Sequence, residues 1–203
     1  MALLKVFVLP VLALLAGAIS APAAAHGSTT AYAAGQGSVN RIEVGIDVRA
    51  SVSDRCGFAT DGAPSGTLSQ TEFDRTGFSK DFAIRLNCTS ASRIAVSSLN
   101  GGLAQGETVT GYASNAPYNV ELKMVGDNGT NAGATCAASL LKAGAGCAFG
   151  GSASTTNGLR LGAPSTKANG SYVRVSAQPY TDSKPLLAGN YSDTLTITIS
   201  IAP

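Results

Sequence analysis

The chain has 203 residues, a formal net charge of +2 and 13% charged residues, so it offers no basic surface for a run of phosphates and nucleic acid is not an expected partner. His26 is the sole histidine and tryptophan is absent. Histidine-based catalysis and tryptophan-lined sugar sites therefore have little to draw on.

Residues 1–25, MALLKVFVLPVLALLAGAISAPAAA, carry an early cation at Lys5, an apolar run from Val6 to Ile19 and a small-residue tail. This is the layout of a secretory signal peptide. Cleavage is expected after Ala25, with Ala21 as the alternative, and removal of Lys5 takes the charge from +2 to +1. The apolar run is shorter than the roughly 18–20 residues a bilayer crossing needs. No cysteine lies near the cleavage point, which disfavours a lipid anchor. Residues 26–38, HGSTTAYAAGQGS, form a polar, glycine-rich leader without a period, and residues 39–203 are expected to form one domain.

From Ile42 to Val52 apolar and polar residues alternate. Ile42, Val44, Ile46, Val48, Ala50 and Val52 fall on one face of an extended strand, and Glu43, Asp47 and Arg49 on the other. The end of this segment, Val48–Val52, is expected to join the domain's own sheet. The same period-two pattern predicts strands through Phe82, Ile84, Leu86 and Cys88; Ile94 and Val96; Tyr118, Val120, Leu122 and Met124; and Val173, Val175 and Ala177. Turn formers separate them at Asn100-Gly101-Gly102, Asp127-Asn128-Gly129, Gly150-Gly151 and Asn169-Gly170. Ala137–Ala143 is the one stretch expected to make a short helical turn. The last strand is the most apolar: Leu195, Ile197, Ile199 and Ile201 face one way, and Thr194, Thr196, Thr198 and Ser200 the other. No later strand is left to cover its edge, and such an edge needs a partner. The fold class predicted is an all-β, antiparallel sandwich.

Cys56, Cys88, Cys136 and Cys147 are an even set in an exported chain, so two disulfides are expected. Three pairings are possible and the sequence does not choose among them; Cys56–Cys88 with Cys136–Cys147 requires the least entanglement. The cysteines lack the close paired spacing of a zinc site, and neither a metal nor a cofactor is expected.

The ending AGNYSDTLTITISI at Ala188–Ile201, Cys56 after the alternating segment, and Leu86-Asn87-Cys88-Thr89 followed by Asn100-Gly101-Gly102-Leu103 together resemble the spore coat protein U domain. That domain is shared by archaic (Csu-type) chaperone–usher pilins. The long leader and the cysteine pair in ATCAASLLKAGAGCAFG depart from the pattern. The resemblance implies an immunoglobulin-like sandwich lacking its last strand, completed by strand donation. Its implied partners are a periplasmic chaperone, an outer-membrane usher, and other copies or related pilin subunits. Its implied location is the cell surface, reached through the periplasm. On that pattern Ile42, Val44, Ile46 and Val48 form the donor strand, and Leu195, Ile197, Ile199 and Ile201 line the receiving edge.

An enzyme is not expected. Glu72 and Asp74 are the nearest approach to paired carboxylates, and i,i+2 spacing beside a turn is ordinarily solvated surface. The alternatives are a carbohydrate- or surface-binding adhesin module using Tyr112, Tyr118, Tyr172, Tyr180 or Tyr191, and a spore or cell coat protein. The sequons at Asn87, Asn128, Asn169 and Asn190 are taken as turn chemistry.

Overall fold

The computed structural model describes residues 47–144 and 146–203. The chain divides into two units, Met1–Ser51 and Val52–Pro203. The expected signal peptide and leader, and three of the expected donor residues, Ile42, Val44 and Ile46, lie outside the described residues. In the first unit, residues 47–51 are exposed and form no strand; Val48 is 83% exposed, and Arg49 pairs with Asp47 at 2.8 Å.

The expectation that Val48–Val52 joins the intramolecular sheet is not met. Residues 47–57 contain no strand, and Val52 is 75% exposed. Alternation gives a segment a sticky face, but a strand also needs an edge to pair with. Pairing begins only at Arg55, where the Cys56–Cys88 disulfide ties the chain to a later segment. There the Arg55 carbonyl accepts from Thr89 N, the Gly57 carbonyl from Asn87 N, and Ala59 N donates to the Arg85 carbonyl, all within 2.8–3.0 Å.

The second unit is an all-β sandwich. One sheet contains four antiparallel strands, in the spatial order β1 (Phe78–Ile84), β8 (Ser171–Ala177), β5 (Asn119–Val125) and β6 (Asn131–Ala137). The other contains β7 (Leu159–Leu161), β2 (Ser92–Ser98) and β9 (Leu195–Ile201), again antiparallel. A small ribbon pairs β3 (Leu103–Ala104) with β4 (Asn115–Ala116). The predicted faces are the buried ones: Val120, Leu122 and Met124 of β5, Ile94 and Val96 of β2, and Val173 of β8 are almost wholly inaccessible. They meet in one core with Phe149 and Leu161. Register follows from that burial, because a one-residue slip would turn each apolar face to water; Val96 accordingly sits opposite Ile197, and Leu122 opposite Val173.

The Phe82–Cys88 segment changes partners midway. β1 runs earlier than its alternation suggested, from Phe78, and ends at Ile84. Leu86 and Cys88 keep the buried period but bridge to Phe58 and Ser165 instead of continuing along β8.

Both disulfides form as the least entangled pairing, Cys56–Cys88 and Cys136–Cys147, and no cysteine is free. The second closes over the predicted helical turn, α2 (Ala138–Ala143), which buries Ala138 and Leu141. Gly144 ends it at φ 67°, a left-handed C-cap whose N–H donates to the Leu140 carbonyl. A one-turn helix, α1 (Phe73–Thr76), leads into β1. Before β9, the Tyr191 hydroxyl donates to the Leu187 carbonyl four residues upstream at 2.8 Å, the arrangement of the tyrosine corner in immunoglobulin-like sandwiches.

Candidate functional site

β9 pairs with β2 along one edge, and among the described residues no strand pairs with the other. Alternate N–H and C=O groups of β9 therefore point away from β2 with no ladder to meet them. Next to that edge opens a cleft of about 440 Å³. Leu195 and Ile197 form its β9 wall, Phe78 and Phe82 of β1 with Val173 and Val175 of β8 form its floor, and the chain from Pro64 to Leu68 forms the opposite wall. Leu68, Phe78, Phe82, Leu195 and Ile197 are only partly buried although all touch the core, so the cleft presents apolar surface to water.

Of the four residues predicted for the receiving edge, Leu195 and Ile197 line the cleft. Ile199 packs on the core beyond it, and Ile201 is 38% exposed at the strand end. Of the predicted donors only Val48 is described. The four cysteines are placed as two disulfides away from the cleft lining.

The other wall contrasts with β9. The segment Pro64–Gln70 makes no backbone–backbone hydrogen bond among the described residues, although Gly62 before it bonds to Ala59 and Arg85, and Gly77 after it bonds to Phe73. Lys80 reaches across from β1, donating from Nζ to the Thr67 carbonyl at 3.1 Å while lying 5.5 Å from the Phe82 ring centre. A lysine on the core side of an edge strand discourages pairing with another chain. The apolar side of β9 carries no such charge.

One end of the cleft is closed by aromatic rings and a polar knot. Phe73 stands edge-on to Tyr191 at 5.6 Å and to Phe78 at 6.5 Å, and Phe78 lies 6.3 Å from Tyr118. Asp193 collects four donors there. Its Oδ2 accepts from the Tyr118 hydroxyl at 2.7 Å and the Ser98 hydroxyl at 2.5 Å; its Oδ1 accepts from Asn100 N at 2.9 Å and Thr194 N at 2.7 Å. Burial, and then the Asp193 carboxylate beside it, push the Tyr118 phenol well above the usual tyrosine range. The knot joins the start of β9, the end of β2 and the residue before β5, so it ties the two sheets together at the cleft end.

Parity placed Phe82, Tyr118, Val173, Val175, Leu195 and Ile197 on apolar strand faces, but sequence reasoning missed the rest of this frame. Phe78 shares the parity of Phe82 and was legible on that ground. Asp193 was visible only as part of the ending Ala188–Ile201, and its Tyr118 and Ser98 partners are 75 and 95 residues away. Leu68 and Pro64 carry no periodic signal.

The other candidate chemistries are dispersed. Glu72 is the N-cap of α1 and Asp74 lies in its first turn, both exposed and outside the cleft lining. Tyr118 and Tyr191 line the cleft, whereas Tyr172 bonds Glu121 on the opposite face of the four-stranded sheet and Tyr112 is on the surface. Among the described residues no three of His, Cys, Asp and Glu converge as metal ligands. The cleft is suited to an extended apolar segment, offering a free strand edge on one side and aliphatic and aromatic pockets beneath. Comparison with protein-family models, curated proteins and solved structures finds no match to this chain.

Proposed function

We propose that the chain is a structural, non-enzymatic subunit of a surface pilus or fimbria, assembled by donor-strand complementation through a chaperone–usher pathway and serving adhesion and biofilm formation. The observation that carries the reading is the apolar cleft beside the unpaired edge of β9. A periplasmic chaperone would fill it first; the segment around Ile42, Val44, Ile46 and Val48 of another copy or a related subunit would then replace the chaperone as the subunit passes through the outer-membrane usher to the cell surface. Two disulfides suit an oxidising compartment. The resemblance of Ala188–Ile201 to the spore coat protein U ending points the same way.

The test is register. Ile46→Asp would drive a carboxylate against the aliphatic groove, whereas Asp47→Lys changes the opposite face. Ile46→Asp subunits should export but form no polymers on a non-denaturing gel, and Asp47→Lys subunits should polymerise normally. Polymers of equal length from both variants would refute the donor assignment.

A further inference from the structure

Four asparagines precede glycine: Asn100, Asn128, Asn157 and Asn169. In such a pair the backbone nitrogen of the glycine can attack the asparagine Cγ. A C–N bond forms, the Cγ–Nδ2 bond breaks, and the leaving amide takes a proton and departs as ammonia. Water then opens the cyclic imide at either carbonyl to give aspartate or isoaspartate, so water is the only co-reactant. The attack needs a mobile side chain and a free glycine N–H, and the fold withholds these to different degrees at the four sites.

Asn100 is partly buried; its Nδ2 donates to the Ser192 carbonyl at 3.0 Å, and the attacking Gly101 N is held by the Ser98 hydroxyl at 2.7 Å. At Asn128 the Oδ1 accepts from Thr130 N at 3.0 Å, and Gly129 N donates to the Gly126 carbonyl at 3.0 Å. Asn157 is anchored through Nδ2 to the Gly150 and Ser152 carbonyls at 3.1 and 2.7 Å, ahead of a buried Gly158. Asn169 differs from all three. It and Gly170 are exposed, its side chain makes no hydrogen bond among the described residues, and neither does Gly170 N. A Cβ at Gly170 would lie 3.8 Å from Val125 Cγ2, an ordinary contact, so the turn there is not crowded.

We infer that Asn169 is a site of spontaneous deamidation, the one among the four Asn-Gly pairs that the native fold leaves chemically open. The product places a new carboxylate two residues before Ser171, where β8 begins.

Each hydrogen bond that must break first slows the attack by roughly 2–10-fold. Asn100, Asn128 and Asn157 each have two such bonds, so Asn169 should convert at least roughly fourfold faster than any of them. The full exported protein, incubated in mildly alkaline buffer and mapped by peptide mass over time, reports all four sites at once. A parallel incubation in denaturant removes the fold. Conversion led by Asn169 in the native protein, with the four rates converging in denaturant, is the expected result. Equal native rates, a faster Asn100, Asn128 or Asn157, or the same ranking in denaturant would each overturn the inference.

Discussion

If the cleft accepts an alternating strand, a peptide spanning Val39–Val52 should stabilise the isolated unit Val52–Pro203. Binding to the folded state alone adds RT ln(1 + [L]/Kd), about 2.7 kcal/mol at a hundredfold excess over Kd. For a unit of this length each kcal/mol moves Tm by about 2–4 °C, so saturation should raise it by about 5–11 °C. The source of that affinity is burial: four aliphatic side chains at roughly 1.5–3 kcal/mol each give a gross gain of about 6–12 kcal/mol, offset by ordering the peptide backbone. A peptide carrying Ile46→Asp exchanges one of these for a carboxylate in an apolar pocket. A loss of about 3 kcal/mol weakens binding by roughly 150-fold, which leaves a shift under about 1 °C at the same concentration. Differential scanning fluorimetry with the parent peptide, the Ile46→Asp peptide and an Asp47→Lys peptide measures all three against an unaltered protein. No shift with the parent, or equal shifts with the parent and the Ile46→Asp peptide, would refute the reasoning.

Three further outcomes follow from the geometry. Asp193→Ala strands two hydroxyls and two backbone N–H groups at the cleft end, so it should cost about 3–5 kcal/mol by urea denaturation, against about 1–2 for Tyr118→Phe, which removes a single donor. Replacing Cys136 and Cys147 by serine opens a loop of sequence separation 11 and should cost about 3 kcal/mol in the same assay. The Asp127 carboxylate accepts from Lys167 N, from Thr166 N and Oγ1, and from Ala168 N, and the hydrogen bonds from Lys167 and Thr166 foremost hold its pKa down at about 2. A depressed carboxylate stabilises the fold above its unfolded pKa of about 4 and ceases to as pH falls through about 2; an acid titration of Asp127→Asn should therefore lose part of the wild-type decline in that window.

The exposed outer face of the four-stranded sheet offers less. Arg174 pairs with Asp81 at 2.5 Å and with Glu121 at 3.3 Å, and stacks 4.8 Å from the Tyr172 ring centre. The hydrogen bond from Arg174 lowers the Asp81 pKa, but these groups are open to solvent and such pairs contribute little to stability.

What the sequence by itself determined was local. Side-chain parity is a property of a few consecutive residues, and it identified the buried faces of β2, β5 and β8 and the apolar, half-buried side of β9 without reference to any partner. The short helix inside the second disulfide loop and the Gly/Asn turns were legible for the same reason. Tertiary structure decided which edges meet. Alternation in Asp47–Val52 did not make a strand, because among the described residues no edge pairs with it, and the Phe82–Cys88 run was divided between two partners. The cleft was likewise beyond local reading. Its floor comes from β1 and β8, its walls from β9 and an aperiodic stretch at Pro64–Leu68, and its end from a carboxylate whose Tyr118 and Ser98 partners are 75 and 95 residues away. Period-two patterning specifies which way a side chain points; only long-range pairing specifies what it points at.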